Sequence, residues 1–440
     1  MLSAGTCRTI PRSLFLRNNS SGIAAITQFT HGLHYLANQT RYSAFMIDTI
    51  LCIDIGTSSL KAALLPDNLT KSEIFVSRQE FPKSAFEECN SGCFYLSALK
   101  AALAELREKN PDYAIEAVCV SGNGPTVISD DGTTLLYNQS FAGDGHESGM
   151  TQEAISALKK TKSLFIPKFL DFKRNFSTSW QNSNHIFGSP EFLLHELTGQ
   201  AVSILPEEHF LPAYWSEEEL AGCGFTPSEI KKIPPFVKSG SFVGKVSEKA
   251  ALETGLLEGT FVFAGAPDFV VALIGTGTVI PGRLCDRAGT SEGLNLCTTK
   301  PVFAEGLRTL PSIIPGLWNL SYLLNGKITT DYTDFENQIT TENPRPSASS
   351  SSDFNELAHG ISLLREAALS HGEYFPDYMT TTGGQALNDE LISQKEAATG
   401  LKIRRMPCAD AELIGDLILA RVALGDYDDI VEAAFALIGV

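Results

Sequence analysis

Apolar residues along the chain follow two alternating patterns. The runs "ILCIDIG", "SLKAALL", "EAVCVSG", "FVFAGAPD" and "YMTTTGG" have the length and β-branched content of strands, and turn-forming residues follow or close each of them. "YLSALKAALAELREKN" spaces its apolar residues at intervals of three and four and stops before Pro111, which predicts a helix. "FVVALIG" follows Pro267 and Asp268 and predicts a wholly apolar helix. Strands alternating with helices predict an α/β fold. One plan occurs twice: "ILCIDIGTSSLKAALL" (Ile50 to Leu65) and "RLCDRAGTSEGLNLC" (Arg283 to Cys297) both read strand, Gly-Thr-Ser, strand. The repetition predicts two related lobes, with a boundary near "GTGTVIPG", Gly275 to Gly282. The polar, serine-rich stretch from Thr329 to Asp353 reads as a mobile surface loop.

The length of 440 residues favours two domains over one. Hydrophobic residues at 43% and charged residues at 19% are ordinary for a globular protein, and no apolar run is long enough to cross a bilayer. A formal net charge of −17 disfavours nucleic acid and anionic lipid as partners. An anionic ligand must then be held by local devices such as backbone amides or a metal ion. The nine cysteines include no CxxC pair, and Cys89 and Cys93 have no second cluster to complete a zinc site, so reduced thiols in a cytoplasmic setting are expected. Residues 1–45 contain Arg8, Arg12, Arg17 and Arg41 but no acidic residue. They read either as a transit-type leader or as sequence upstream of a start at Met46, and are left out of the fold.

The chemistry concentrates at the turns. A tight Gly-Thr-Ser turn between two strands points successive backbone N–H groups into one concavity, and its hydroxyls add donors for phosphate oxygens. The same residues also make a plain hairpin turn. "GTSSLK" lacks the GK[ST] ending of the common P-loop, and Lys61 reads as a strand-edge lysine in solvent, with a phosphate contact as the alternative. Asp54, at the strand end, could order the waters of a magnesium ion. Asp268 has two readings, a helix-start carboxylate satisfying the dipole or a general base kept ionised by the same helix end. Gly383 and Gly384 allow close backbone approach by a ligand, or turn a strand into a helix that Asn388 caps.

"IDIGTSSLKAALL", "DRAGTSEGLNLC", "GAPDFVVALIGTGTVIPG" and "TTGGQALNDELISQKEAATGLKI" occur in the order of the motifs of one family, and from about Met46 to near its end the chain resembles the FGGY carbohydrate kinases, most of all the xylulose kinase branch. The resemblance implies an actin-like, ribonuclease H-like fold of two lobes, each a mixed sheet flanked by helices, at 46–281 and 282–440, with a nucleotide cleft between them. It implies ATP and Mg2+ as cofactors and phosphorylation of a hydroxyl on a small sugar (ketose) or polyol. By the same resemblance Gly56, Thr57, Ser58, Gly289, Thr290 and Ser291 face the phosphates, Asp54 serves the metal, and Gly383, Gly384 and Asn388 line the adenosine pocket. Asp268 is the general base. Asp144 and Asn123 bind the sugar, in "FAGDGHESG" and "SGNGPTVI", where the chain lacks the family's tryptophan; Asp144 also reads as a solvated Gly-Asp-Gly turn. A homodimer is a possible assembly. A nucleotide-binding sensor without turnover is the competing reading.

Overall fold

The apolar runs on either side of Gly56 form strands Ile47–Ile55 (β1) and Ser59–Leu65 (β2), an antiparallel hairpin in which Asp54 stands opposite Lys61. Seven successive residues of β1 are buried, as expected of a strand covered on both faces. The computed structural model describes residues 46–69, 74–139, 150–288, 292–324 and 354–439, so 1–45 and the whole serine-rich segment lie outside them. Asp48–Val440 forms one unit, and the architecture below belongs to it.

The first sheet adds Val76–Glu80 (β3), Tyr113–Gly122 (β4), Phe242–Lys245 (β5) and Phe261–Pro267 (β6), in the order β5-β6-β4-β1-β2-β3. The second contains Leu284–Ala288 (β7), Glu292–Thr298 (β8), Arg308–Pro311 (β9), Trp318–Leu323 (β10), Tyr378–Thr382 (β11) and Lys402–Arg405 (β12), in the order β9-β10-β8-β7-β11-β12. Both contain one pattern. An antiparallel trio begins with the duplicated hairpin, β1-β2-β3 in one sheet and β7-β8-β10 in the other. Strands from later in the chain then add beside the first strand of the hairpin: β4 and β6 in the first sheet, β11 and β12 in the second. The repeat legible in the sequence is therefore a repeat of sheet topology.

Alternation along β1 divides the first core in two. Leu51, Ile53 and Ile55 pack with Leu99 and Leu103 of Tyr95–Lys109 (α1) and Leu193 of Ser189–Thr198 (α3). Ile50 and Cys52 face the other way, into a cluster with Val271 and Ile274 of Asp268–Gly275 (α4), Leu417 of Ala411–Leu424 (α7) and Leu437 of Ile430–Ile438 (α8). In the second sheet Leu284, Leu294, Leu296 and Leu320 pack on Leu357, Ile361 and Leu364 of Phe354–Ser370 (α5). Between β4 and β5 lies an aromatic cluster in which Phe165, at the start of Ile166–Asn175 (α2), has ring centroids 4.9 Å from Tyr214 and 5.1 Å from Trp215. No helix among the described residues is long and apolar enough to cross a membrane.

Two glycines set the relation of α4 to α7. A Cβ on Gly275 would collide with the Ala411 carbonyl, and one on Gly415 with the Val271 carbonyl, so the helices cross with their backbones in contact. The crossing fixes Asp268, the first residue of α4, relative to Asp410 and Glu412 at the start of α7.

Candidate active site

β1 delivers Asp54 into the interior and then turns at Gly56, whose N–H donates to the Ser59 carbonyl at 2.9 Å. Gly56 and Thr57 are half-buried and Ser58 is exposed, so this turn lies at an accessible surface. Lys61 does not point freely into solvent as the sequence suggested. It pairs with Asp54 at 3.4 Å and with Asp410 at 2.8 Å, and its ammonium is held charged because the carboxylates beside it outweigh the cost of burial. A β-strand side chain opposite a buried aspartate becomes part of the site instead of its rim.

Asp54 is 3% exposed, and its Oδ1 has no hydrogen-bond partner. Burial pushes its pKa up; Lys61 opposes the rise, while Asp268 and Asp410 add to it. Glu412 is also pushed up by burial, opposed by Lys61 and reinforced by Asp54. Five ionisable groups from three separate parts of the chain, Asp54, Lys61, Asp268, Asp410 and Glu412, thus form one electrostatic cluster.

Asp268 accepts a hydrogen bond from the Phe269 N–H at 2.6 Å. The protein around it pushes its carboxyl pKa up, against that amide and the charge of Arg287, and Glu412 contributes further. Helix-end amides alone would lower it; burial outweighs them. The side chain is nevertheless exposed. Asp268 is thus surrounded by protein groups that act on its charge and is still open to solvent.

Next to it, Asn123, Phe165, Glu191, Ile204, Tyr214 and Pro267 line a small cavity. Glu191 lies in the first turn of α3 and accepts from the Ile204 N–H at 2.9 Å, and burial raises its pKa to about 7. Asn123 is 3% exposed and uses its amide internally: Nδ2 donates to the Ile55 carbonyl at 3.0 Å and Oδ1 accepts from Thr126 at 2.5 Å. Its placement on the cavity wall suits a sugar contact, but its hydrogen bonds are to the framework.

On the second sheet, Gly383 follows β11 with φ of +82° and donates to the Ala409 carbonyl at 2.6 Å. Gly384 has open space where a side chain would be. Asn388 caps Asp389–Thr399 (α6), its Oδ1 accepting from the N–H groups of Glu390 and Leu391 at 3.0 and 3.1 Å. Gly289, Thr290, Ser291 and Asp144 lie outside the described residues.

No family model matches the sequence. A xylulose kinase from Staphylococcus epidermidis is 25% identical over 264 residues, covering 56% of this chain and 52% of that protein. An autoinducer-2 kinase from Yersinia enterocolitica is 33% identical over 87 residues, 19% of this chain and 16% of that protein. The chain thus spans about half the length of the first of these relatives and less of the second. Solved structures align over far more of it. The xylulose kinase from Rhodospirillum rubrum superposes with a TM-score of 0.61 at 16% identity, covering 86% of this chain and 91% of that one. The Plasmodium falciparum glycerol kinase gives 0.60 at 14%, covering 89% and 92%.

This is the fold of the FGGY carbohydrate kinases.

Within the FGGY fold, the residues anticipated from sequence fall into separate groups. Asp54 and Asp268 share one electrostatic cluster, and Gly56 to Ser58 adjoin it two residues beyond Asp54. Gly383, Gly384 and Asn388 lie together beyond β11. No motif or spacing pointed to Asp410, Glu412 or Glu191. The first two lie beyond the last quoted motif, and Glu191 reads as an ordinary first-turn acid of a helix. Arg287 was in plain view inside "DRAGTSEG", but its proximity to Asp268 needed the fold. Among the described residues no group of three His, Cys, Asp or Glu side chains could hold a metal alone. Magnesium needs less, since it retains waters and takes one or two carboxylates with substrate phosphates. The unpartnered Oδ1 of Asp54 fits that role.

Proposed function

We propose that the chain is an ATP-dependent kinase that phosphorylates a hydroxyl of a small sugar (ketose) or polyol, with Asp268 as general base. The observation that carries this reading is Asp268 itself: an accessible carboxylate at the head of α4, electrostatically coupled to the Asp54–Lys61 hairpin and beside a cavity. The names of the similar proteins, xylulose and glycerol kinases, support the substrate class.

In this reading the acceptor hydroxyl attacks the γ-phosphorus of ATP, Asp268 takes its proton, and ADP leaves with the bridging oxygen. A carboxylate with a raised pKa is a stronger base near neutral pH. Gly56, Thr57 and Ser58 hold phosphate oxygens from the first lobe, and Gly289, Thr290 and Ser291 do so from the second. Gly383, Gly384 and Asn388 border the adenosine. Asp54 would hold Mg2+, which when bound to ATP neutralises phosphate charge. Lys61 favours the ionised form of Asp54 against the cost of its burial. Asn123 and Asp144 contact the acceptor. The lobes are assigned to 46–281 and 282–440, with α7 and α8 packing back on the first sheet.

The test is a coupled ADP-release assay of the Met46-start protein against pentuloses, hexuloses and polyols. Turnover that rises with one acceptor supports the reading. Nucleotide binding with no acceptor-stimulated turnover across the panel points to a sensor.

A further inference from the structure

One face of the second sheet carries two arginines that form no ion pair among the described residues. The register places Cys285, Asn295, Ser321 and Arg308 in one row across β7, β8, β10 and β9. Arg287, two residues beyond Cys285, projects from the same face. The leucines that pack on α5 occupy the opposite face. Arg287 stands opposite Gly293, and its guanidinium lies over that bare position: a Cβ there would be 3.4 Å from Nη2. The guanidinium carbon is 4.8 Å from the ring centroid of Phe269, the residue after Asp268.

The pair is electrostatically unfinished. Nε of Arg287 is buried with no hydrogen-bond partner. Arg308 is pushed down in pKa by burial and then by the like charge of Arg287. Among the described residues neither arginine forms an ion pair. Two neighbouring guanidiniums with an unused buried donor are costly to hold together unless an anion joins them. A planar guanidinium matches phosphate oxygens with two parallel hydrogen bonds.

We propose that Arg287, steadied by Phe269 and backed by Arg308, is a further catalytic residue, binding the phosphoryl oxygens during transfer on the side of the cleft that adjoins Asp268. The inference rests on the kinase reading and deepens it. The O–P bond to the acceptor forms as the bridging O–P bond to ADP breaks, the electron pair leaves with ADP, and the acceptor proton goes to Asp268. Arg287 stays protonated throughout and meets the charge on the oxygens in flight.

The experiment compares wild type, R287M and R287K in acceptor-stimulated ADP release, with ADP affinity measured by calorimetry and folding checked by melting. Against an active wild type, R287M should lose roughly 10²–10³-fold in kcat, with ADP affinity within about threefold, and R287K should recover only part of the loss. Added guanidinium ion should restore part of the R287M rate, which a purely structural role would not permit. R287K supplies the comparison if R287M fails to fold. An R287M or R287K enzyme that turns over like wild type overturns the assignment and leaves the kinase reading intact. So does a loss confined to ADP affinity. A wild type inactive with every acceptor defeats the kinase reading, and this assignment with it.

Discussion

Replacing Lys61 with methionine tests whether the acidic cluster depends on the cation that bridges Asp54 and Asp410. The substitution keeps most of the side-chain volume and removes the charge. Lys61 lies 3.4 Å from Asp54 and 2.8 Å from Asp410, and its side chain is 16% exposed. At an effective dielectric of about 20 each pair has a gross Coulomb energy of about 5 to 6 kcal/mol. Desolvation offsets much of that, but removing Lys61 leaves Asp54 without its cation while Asp410 keeps Arg78 at 3.4 Å, at a net cost of about 3 kcal/mol. For a unit of this size that corresponds to a fall in Tm of about 4 °C. The loss should depend on pH with a defined sign. Asp54 and Glu412 both have folded-state pKa values above their unfolded values, so protonation in acid relieves them and their ionisation as pH rises destabilises the fold. Lys61 offsets that destabilisation in the wild type and methionine does not. The Tm gap between K61M and wild type should therefore be small near pH 4.5 and widen toward pH 8, as read by differential scanning calorimetry. A K61M protein within 1 °C of wild type at pH 8 would refute the reasoning.

Further expectations concern the helix crossing and the buried acid of the cavity. Gly415→Ala puts a methyl group into the Val271 carbonyl and should cost several kcal/mol, more than ~2; circular dichroism melting would expose the reasoning as wrong if the variant were as stable as wild type. Glu191, raised to about 7, contributes stability that is present below its unfolded pKa and lost as pH rises through about 7. Glu191→Gln can still accept from the Ile204 N–H. It should lack that pH-dependent loss, on the order of 1 to 3 kcal/mol between pH 4.5 and 8, and urea titrations at the two pH values decide the matter.

How far the sequence could be read depended on how local each signal was. Both hairpins were legible because apolar alternation and turn residues lie within sixteen positions of one another, and the duplicated plan carried through to matching sheet topologies. The helix ending before Pro111 was legible for the same reason: α1 ends at Lys109. Lys61 was misread because its second partner, Asp410, is remote in sequence and meets it only once α7 crosses α4. Asn123 lines the cavity, yet nothing local announced that the Ile55 carbonyl and Thr126 would occupy its amide. Glu191 and Tyr214 enter the cavity from an aromatic excursion whose packing has no periodic signature. Asn388 showed the reverse: its cap was readable from spacing, and the structure contains that cap.

The most direct measurement is made on Asp268→Asn. The amide keeps the shape of the carboxylate and the Phe269 hydrogen bond but cannot accept the acceptor's proton. With ADP binding followed by calorimetry and turnover by acceptor-stimulated ADP release, the variant should bind nucleotide within about threefold of wild type and lose at least ~10²-fold in kcat. Unchanged turnover in a folded, nucleotide-binding D268N protein would contradict the assignment of the base, and with it the proposed chemistry of the cleft.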